Sequence, residues 1–355
     1  MFFYLLCILV FTLLYAIAER SGKIFFLFVA MVPPIIFEGL RYEYVGTDMN
    51  GYGTIWFYNM PLDYSVWQVV KNASTPEYGY HLLVYFSKKI SNDIHFYMTI
   101  CAFFKILMVY LTAWKLKSQI NTTVFVLGYF LFFYVLGFSM MRQSIAIAFC
   151  LYSLTFLLDH KPIIFSILVL LAYFFHNSAL FMYIWLPLSL IRKWKIRYSI
   201  LIVTGLLFYF TLSMLMSYLV GSSLFKDDIA EKYMNSGVNT SKTMIVISIS
   251  FLLYGVFLLT HNRFKNSTLL FLYVSSSTLS LIVIFMAYYI EVAFRVALYM
   301  IIASMILTLY HIQINKKSSW VLLSIYISLF LLDFYISCSH GLYGALDYSS
   351  KILGI

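Results

Sequence analysis

At 355 residues, 63% hydrophobic and 11% charged, with a mean hydropathy of +0.89, the chain is too apolar for a soluble domain, which is roughly half apolar and about a quarter charged. Its net charge of +10 comes from basic residues set in twos to fours between apolar runs, which excludes a nucleic-acid-binding patch and reads as a topology signal. Cys7, Cys101, Cys150 and Cys338 lie in apolar stretches without a CxxC or a histidine pairing, so neither a disulfide framework nor a zinc site is indicated.

A membrane-spanning helix needs about 20 mainly apolar residues. In chain order, apolar runs between charged punctuation predict twelve spans: 1–18, 24–37, 94–113, 122–137, 143–158, 162–175, 177–191, 198–220, 243–260, 266–286, 294–310 and 319–338. The first ends in Ala16-Ile17-Ala18, which imitates a signal-peptidase site, but it lacks a basic leading region and is read as an uncleaved span. The fold class expected is therefore all-α, a polytopic integral membrane protein forming one transmembrane domain over 1–355.

With the amino terminus outside, the inner loops 19–23, 114–121, 159–161, 192–197, 261–265 and 311–318 hold thirteen cations, from Arg20 to Lys317, against two anions, Glu19 and Asp159. That bias follows the positive-inside rule. Residues 38–93 and 221–242 become outer loops, and 78–90, too short to span, is read as an outer re-entrant or interfacial helix. Lys105 is left in mid-span, facing either a partner carboxylate or the interface.

Polar groups at membrane depth are costly and mark pairing partners or working sites. Here they gather on the outer face: Arg41-Tyr42-Glu43-Tyr44-Val45-Gly46-Thr47-Asp48 with Tyr52, Glu77-Tyr78-Gly79-Tyr80, Met141-Arg142-Gln143, Phe175-His176-Asn177-Ser178-Ala179, and Glu291 with Arg295. Arg41 and Asp48 read as site residues, with an ion pair capping the second span as the structural alternative, and Glu291 and Arg295 have a spacing that suits a helix pair as well as substrate contact. His81 adjoins a site element. His95, His160, His261, His311 and His340 sit at loop edges and read as solvated, and Asp227 to Lys232 reads as a solvated amphipathic loop.

Gly39 to Asp48 with Tyr52, Glu77 to Tyr80, the Arg142 helix start with Ala146 and Ala148, and Phe175 to Ala179 together resemble the EpsG family of polysaccharide polymerases, relatives of the Wzy-type O-antigen polymerases. Each element alone is unspecific; four in order and spacing, over about residues 1 to 300, carry the resemblance. Arg295 and the tail from Tyr343 to Tyr348 resemble family features more loosely.

The resemblance implies a GT-C-like glycosyltransferase with its site on the outer leaflet of the bacterial cytoplasmic membrane. There one undecaprenyl-diphosphate-linked glycan is transferred onto the non-reducing end of another. Membrane lipid, a chain-length regulator and a flippase are implied as partners, nucleic acid is not, and no cofactor is expected. Arginine meets a leaving diphosphate with a two-pronged fork that lysine lacks, and Arg41, Arg142 and Arg295 are the arginines placed outside. No Asp-x-Asp element is present to hold a divalent ion, so a metal-independent site is expected. The attacking hydroxyl gains from a general base, for which His176 leads over Glu77 and Asp48 because histidine titrates nearest neutrality. Tyr52, Tyr80 and Tyr343 complete the substrate-binding set. With one base and no covalent intermediate the anomeric centre would invert.

A membrane O-acyltransferase would also use a histidine and an arginine, but is expected to carry them early in the chain. A flippase or other transporter favours internal repeats and polar groups at the midplane. His176 in mid-chain fits the first poorly, and against the second there is no repeat and the charged residues lie at the outer edge; both stand as the alternative readings.

Overall fold

The computed structural model describes residues 1–190, 241–260, 268–287, 291–314, 319–341, 344–345 and 347–354. Every regular element among them is helical. In chain order they are α1 (Phe2–Ser21), α2 (Ile24–Gly39), a π-helical turn (Met49–Gly53), α3 (Thr54–Asn59), α4 (Val66–Lys71), α5 (Tyr78–Ile90) and α6 (Ile94–Leu116). There follow α7 (Thr122–Tyr129), a second π turn (Phe130–Tyr134), α8 (Leu136–Ser139), α9 (Met141–Leu158), α10 (Pro162–Tyr173), a 3-10 stretch (Asn177–Ile184) and α11 (Trp185–Leu190). Last come α12 (Ser241–Thr260), α13 (Thr268–Ala287), α14 (Glu291–Ile314) and α15 (Ser319–Ser339).

Among the described residues six helices are long and apolar enough to cross a membrane: Phe2–Ser21, Ile94–Leu116, Thr122–Ser139, Met141–Leu158, Ala293–Ile314 and Trp320–Ser339. Four more are apolar but shorter, among them Ile24–Gly39 and Pro162–Tyr173. The run expected to span at 177–191 is instead a 3-10 stretch followed by one short α-helix, and the run at 198–220 lies outside the described residues. The segment 38–93, expected to lie outside, holds four helical pieces, and 78–90 is a helix of 13 residues.

The chain divides into two compact units, one formed by Met1–Leu180 with Ile312–Ile355 and the other by Phe181–His311. In the first, α6 is the central post, packed against α2, α5 and α9. Local chemistry sets the helix ends. Gly22 closes α1 in the left-handed region at φ 67°, where glycine carries no Cβ penalty. Asp93 caps α6 through the His95 amide (2.9 Å) and Asn121 caps α7 through the Val124 amide (3.1 Å), each supplying an acceptor to an orphan donor of the first turn. Inside α2, Pro34 removes the amide that would bond the Ala30 carbonyl; the Tyr110 hydroxyl of α6 donates to that oxygen instead (3.4 Å).

The second unit is knitted by small hydroxyls. Ser248 pairs with Ser280 (2.7 Å), Ser304 donates to Ser276 (2.9 Å), and Tyr273 donates to the Phe251 carbonyl (2.8 Å), as helices do where small residues let them approach and polar groups link them. His311, expected to be solvated at a loop edge, is buried and its Nδ1 lies 2.7 Å from the Leu307 carbonyl. α14 runs on past the predicted boundary at 310, so the residue is helical.

Candidate functional site

Two helix ends create the site. α10 stops at Tyr173, and the carbonyl of Phe174, past the last helical turn, accepts from the amides of Gly79 (2.9 Å) and Tyr80 (3.3 Å). These are first-turn amides of α5; that of Gly79 finds its acceptor in Phe174, and that of Tyr80 is shared with the Glu77 carbonyl (3.0 Å), so the end of α10 satisfies an orphan donor at the start of α5. Contact this close requires glycine at 79: a Cβ there would lie 2.9 Å from the Phe174 Cβ and 3.0 Å from its carbonyl oxygen. The Glu77-Tyr78-Gly79-Tyr80 and Phe175-His176-Asn177-Ser178-Ala179 elements are thereby locked side by side.

Into that junction α9 delivers Arg142, its second residue. The guanidinium forms an ion pair with Glu77 through Nη1, while Nε has no hydrogen-bond partner among the described residues. The same guanidinium stacks on the rings of Tyr52 (4.1 Å to the centroid) and Trp56 (5.1 Å), a cation–π arrangement suited to arginine. His176 Nε2 lies 3.8 Å from the other Glu77 oxygen. Its Nδ1 is 2.6 Å from Ser178 Oγ and receives the Ser178 amide at 3.4 Å. An amide can only donate, so Nδ1 is the acceptor nitrogen and the proton of the neutral ring sits on Nε2, toward Glu77.

Asp48 accepts from the Tyr52 hydroxyl, and burial together with that carboxylate holds the hydroxyl well above its usual titration range, so it stays protonated. Tyr80 is fully buried and shares a hydrogen bond with Tyr97. His81 stacks on Trp56 (4.4 Å between centroids) with Nε2 3.2 Å from Thr75 Oγ1. Burial, then repulsion from Arg142, brings its pKa down to about 4, so it is neutral near pH 7.

Arg41 stands apart from this cluster. It is fully buried and donates to the carbonyls of Glu38 (2.6 Å), Val45 (3.1 Å) and Phe138 (3.3 Å). The structural alternative of an Arg41–Asp48 ion pair gives way to two other contacts: Arg41 lies 4.0 Å from Glu38, and Asp48 accepts from Tyr52. Glu38 also answers the question of Lys105, whose Nζ is 2.5 Å away and close over the Tyr134 and Phe138 rings. Through these bonds Arg41 ties the turn between α2 and the first π helix to the α8–α9 junction, four residues before Arg142. The Thr47 amide adds a bond to Ser139 Oγ (3.3 Å). The chain's last described segment closes over the same turn, with Tyr348 donating to the Phe37 carbonyl (2.8 Å) and stacked on the Phe37 ring (4.1 Å).

The structure thus brings Asp48, Tyr52, Glu77, Arg142 and His176 into one cluster, with Tyr80 beside it and Arg41 beneath its scaffold. Arg295 lies on α14 in the second unit, the Glu291 side chain is outside the described residues, and so is Tyr343. Trp56, Thr75 and Glu38 were not singled out from the sequence. Glu38 had a usable signal, since a lysine left in mid-span calls for a carboxylate nearby.

The family model of the EpsG family matches residues 23–350, nearly the whole chain. No curated protein matches the sequence. No solved structure matches it.

Proposed function

The chain belongs to the EpsG family, whose members are Wzy-like polymerases, and on that premise we propose that it joins undecaprenyl-diphosphate-linked oligosaccharide repeat units on the outer leaflet of the bacterial cytoplasmic membrane. The observation that carries the reading is the Glu77–Arg142–His176 cluster, assembled from three distant segments at a helix junction. It sets an arginine fork beside a histidine with a fixed tautomer, which is what displacement of a diphosphate by a sugar hydroxyl requires.

In this reading Arg142 exchanges its bond to Glu77 for the diphosphate of the donor and stabilises charge as the bond to the anomeric carbon breaks. The acceptor hydroxyl attacks that carbon and its proton passes to His176 Nδ1, directly or through the Ser178 hydroxyl. Glu77, 3.8 Å from Nε2, stabilises the imidazolium that forms. One displacement inverts the anomeric centre. Tyr52 and Asp48 hold the guanidinium plane and the acceptor side, Tyr80 braces the junction, and Arg41 positions Arg142 from a distance. Arg295 and Tyr343 stay in the substrate set on the family resemblance alone. The diphosphate charge is met by arginine, so activity should persist in a chelator. The orientation proposed has both termini and the site outside.

The test is the purified chain with lipid-linked repeat units in detergent, read as product length. Polymer is expected from the wild type, and single units only from His176→Ala, whose rate should fall by about 10²–10⁴. Full-length polymer from a folded His176→Ala protein removes the histidine from the mechanism. In cells, deletion should leave single-unit caps; unmodified full-length polymer would indicate an acyltransferase, and loss of surface glycan a flippase.

A further inference from the structure

The turn between α2 and the first π helix is held from two sides. Within it the Val45 amide bonds the Tyr42 carbonyl (3.0 Å), but three of its amides turn outward. Those of Tyr42 and Gly46 donate to the carbonyls of Ser349 (2.7 Å) and Gly344 (3.1 Å), so the tail runs antiparallel along one face of the turn. That of Thr47 donates to Ser139 Oγ (3.3 Å), on the α8–α9 side. Two hydroxyls fasten the same tail to the end of α2. Tyr348, its ring stacked on Phe37, donates to the Phe37 carbonyl (2.8 Å), and the buried Ser350 donates to that of Leu40.

On the α8–α9 side the turn meets the break that starts α9. In an unbroken helix the Phe138 carbonyl would accept from the Arg142 amide, four residues on. Here the chain leaves the helix at Met140 (φ −123°, ψ 55°), and that carbonyl accepts from Arg41 Nη2 (3.3 Å). Gly46 lies against the same oxygen at φ 100°, where a Cβ would collide with it, so the position calls for glycine. Arg142 is the second residue past the break. The turn also leads into Asp48, which bonds the Tyr52 hydroxyl whose ring lies on the guanidinium. The backbone support and the ring support of Arg142 therefore both start from this turn.

We propose that residues 344–350 are a positioning element of the site: seated on the turn through Tyr348 and Ser350, they hold it against the α8–α9 break and so set where the Arg142 guanidinium points. The effect on catalysis rests on the polymerase reading, whereas the link from tail to Arg142 does not. Arg41 cannot do this alone. A guanidinium is a donor only, and it holds the carbonyls of Glu38 and Val45; the amides of Tyr42 and Gly46 need acceptors, which the tail brings. A segment that merely covered the end of α2 would bond α2 alone. This one bonds α2 and the turn together, so that releasing it frees the turn to shift on Phe138.

The test uses the full-length chain carrying Tyr348→Phe and Ser350→Ala together, which removes two donors and keeps a ring on Phe37. Hydrogen exchange in detergent, read by mass spectrometry, should quicken by about tenfold in residues 41–48 and 138–146 and stay unchanged in α6. Unchanged exchange in 138–146 would leave the tail without a link to Arg142, and faster exchange throughout α6 would make it a general stabiliser; either result overturns the proposal. In the polymerisation assay kcat should fall by at least about tenfold with KM within about twofold, at an unfolding midpoint close to that of the wild type. Wild-type kcat per folded molecule would also overturn it. Should the wild type polymerise no lipid-linked glycan, the polymerase reading falls while the exchange pattern still decides whether the tail positions Arg142.

Discussion

Glu77 and Arg142, 65 residues apart in the chain, form one ion pair at the meeting point of α5 and α9, and the guanidinium keeps an aromatic ring, Tyr52, against its face. Both side chains are largely withdrawn from solvent. Breaking such a pair from one side leaves an uncompensated charge and typically costs about 3–5 kcal/mol. Arg142→Ala and Glu77→Gln should each lower the unfolding midpoint in detergent, and the double variant should lose less than the sum. Arg142→Lys should retain the fold but not the rate, because an ammonium offers no fork to a diphosphate. Additive single losses in a double-mutant cycle would show that the pair is not coupled.

Gly79 carries a prediction about both stability and activity. A Cβ at this position meets the Phe174 side chain and backbone at 2.9–3.0 Å, and backbone cannot yield as a flexible side chain does. Gly79→Ala should part α5 from the end of α10, moving Glu77 away from His176. The variant is expected to lose polymerising activity by at least about tenfold, since misplacement of about 1 Å at a reacting centre has costs of that order or larger. Gly51→Ala, where a Cβ has open space, serves as the control and should be unaffected.

The buried pair of Lys105 and Glu38 predicts an asymmetry. Lys105→Met removes the cation nearest a buried carboxylate and should destabilise the protein by about 3 kcal/mol or more. Adding Glu38→Gln to that variant should recover a good part of the loss, as read by thermal unfolding in detergent, because an amide carries no charge to strand. If the double variant is less stable than Lys105→Met alone, Glu38 is held chiefly by Arg41.

His81 makes stability depend on pH. Its pKa falls from the ordinary 6.5 in the unfolded chain to about 4 in the folded one. Between those values the unfolded chain takes up a proton that the folded protein does not, so stability is full above about pH 6.5 and declines as the pH drops toward 4. His81→Phe keeps a ring on Trp56 and has nothing to protonate. Its unfolding midpoint should fall less than that of the wild type between pH 7 and pH 5; parallel curves would assign the acid sensitivity to other groups.

Hydropathy and charge punctuation place the helices well: predicted 94–113, 122–137 and 319–338 correspond to Ile94–Leu116, Thr122–Ser139 and Ser319–Ser339. In lipid this is expected, since every backbone polar group must be satisfied within the segment and an apolar run has few conformations open to it. The run at 177–191 departs at its start, where the Ser178 amide bonds the His176 ring and the Ala179 amide the His176 carbonyl (3.0 Å), and the chain continues as a 3-10 helix. Cluster membership was only partly legible. Glu77, Arg142 and His176 were marked by polarity in an apolar setting, whereas Arg41, marked for the same reason, proved to serve carbonyls of its own turn and of Phe138.

The sequence by itself determined that this protein is a bundle of apolar helices with a few expensive polar residues, and which residues those are, because transfer into lipid penalises each one singly and independently of its neighbours. Only the tertiary structure decided which of them meet. Glu77 found Arg142 rather than a solvent-exposed lysine, Lys105 found Glu38, and Asp48 found Tyr52 rather than Arg41. Those choices depend on distances of a few ångströms between segments dozens of residues apart, set by the Gly79–Phe174 contact and the packing of α5 and α9 on α6, and no local pattern encodes them.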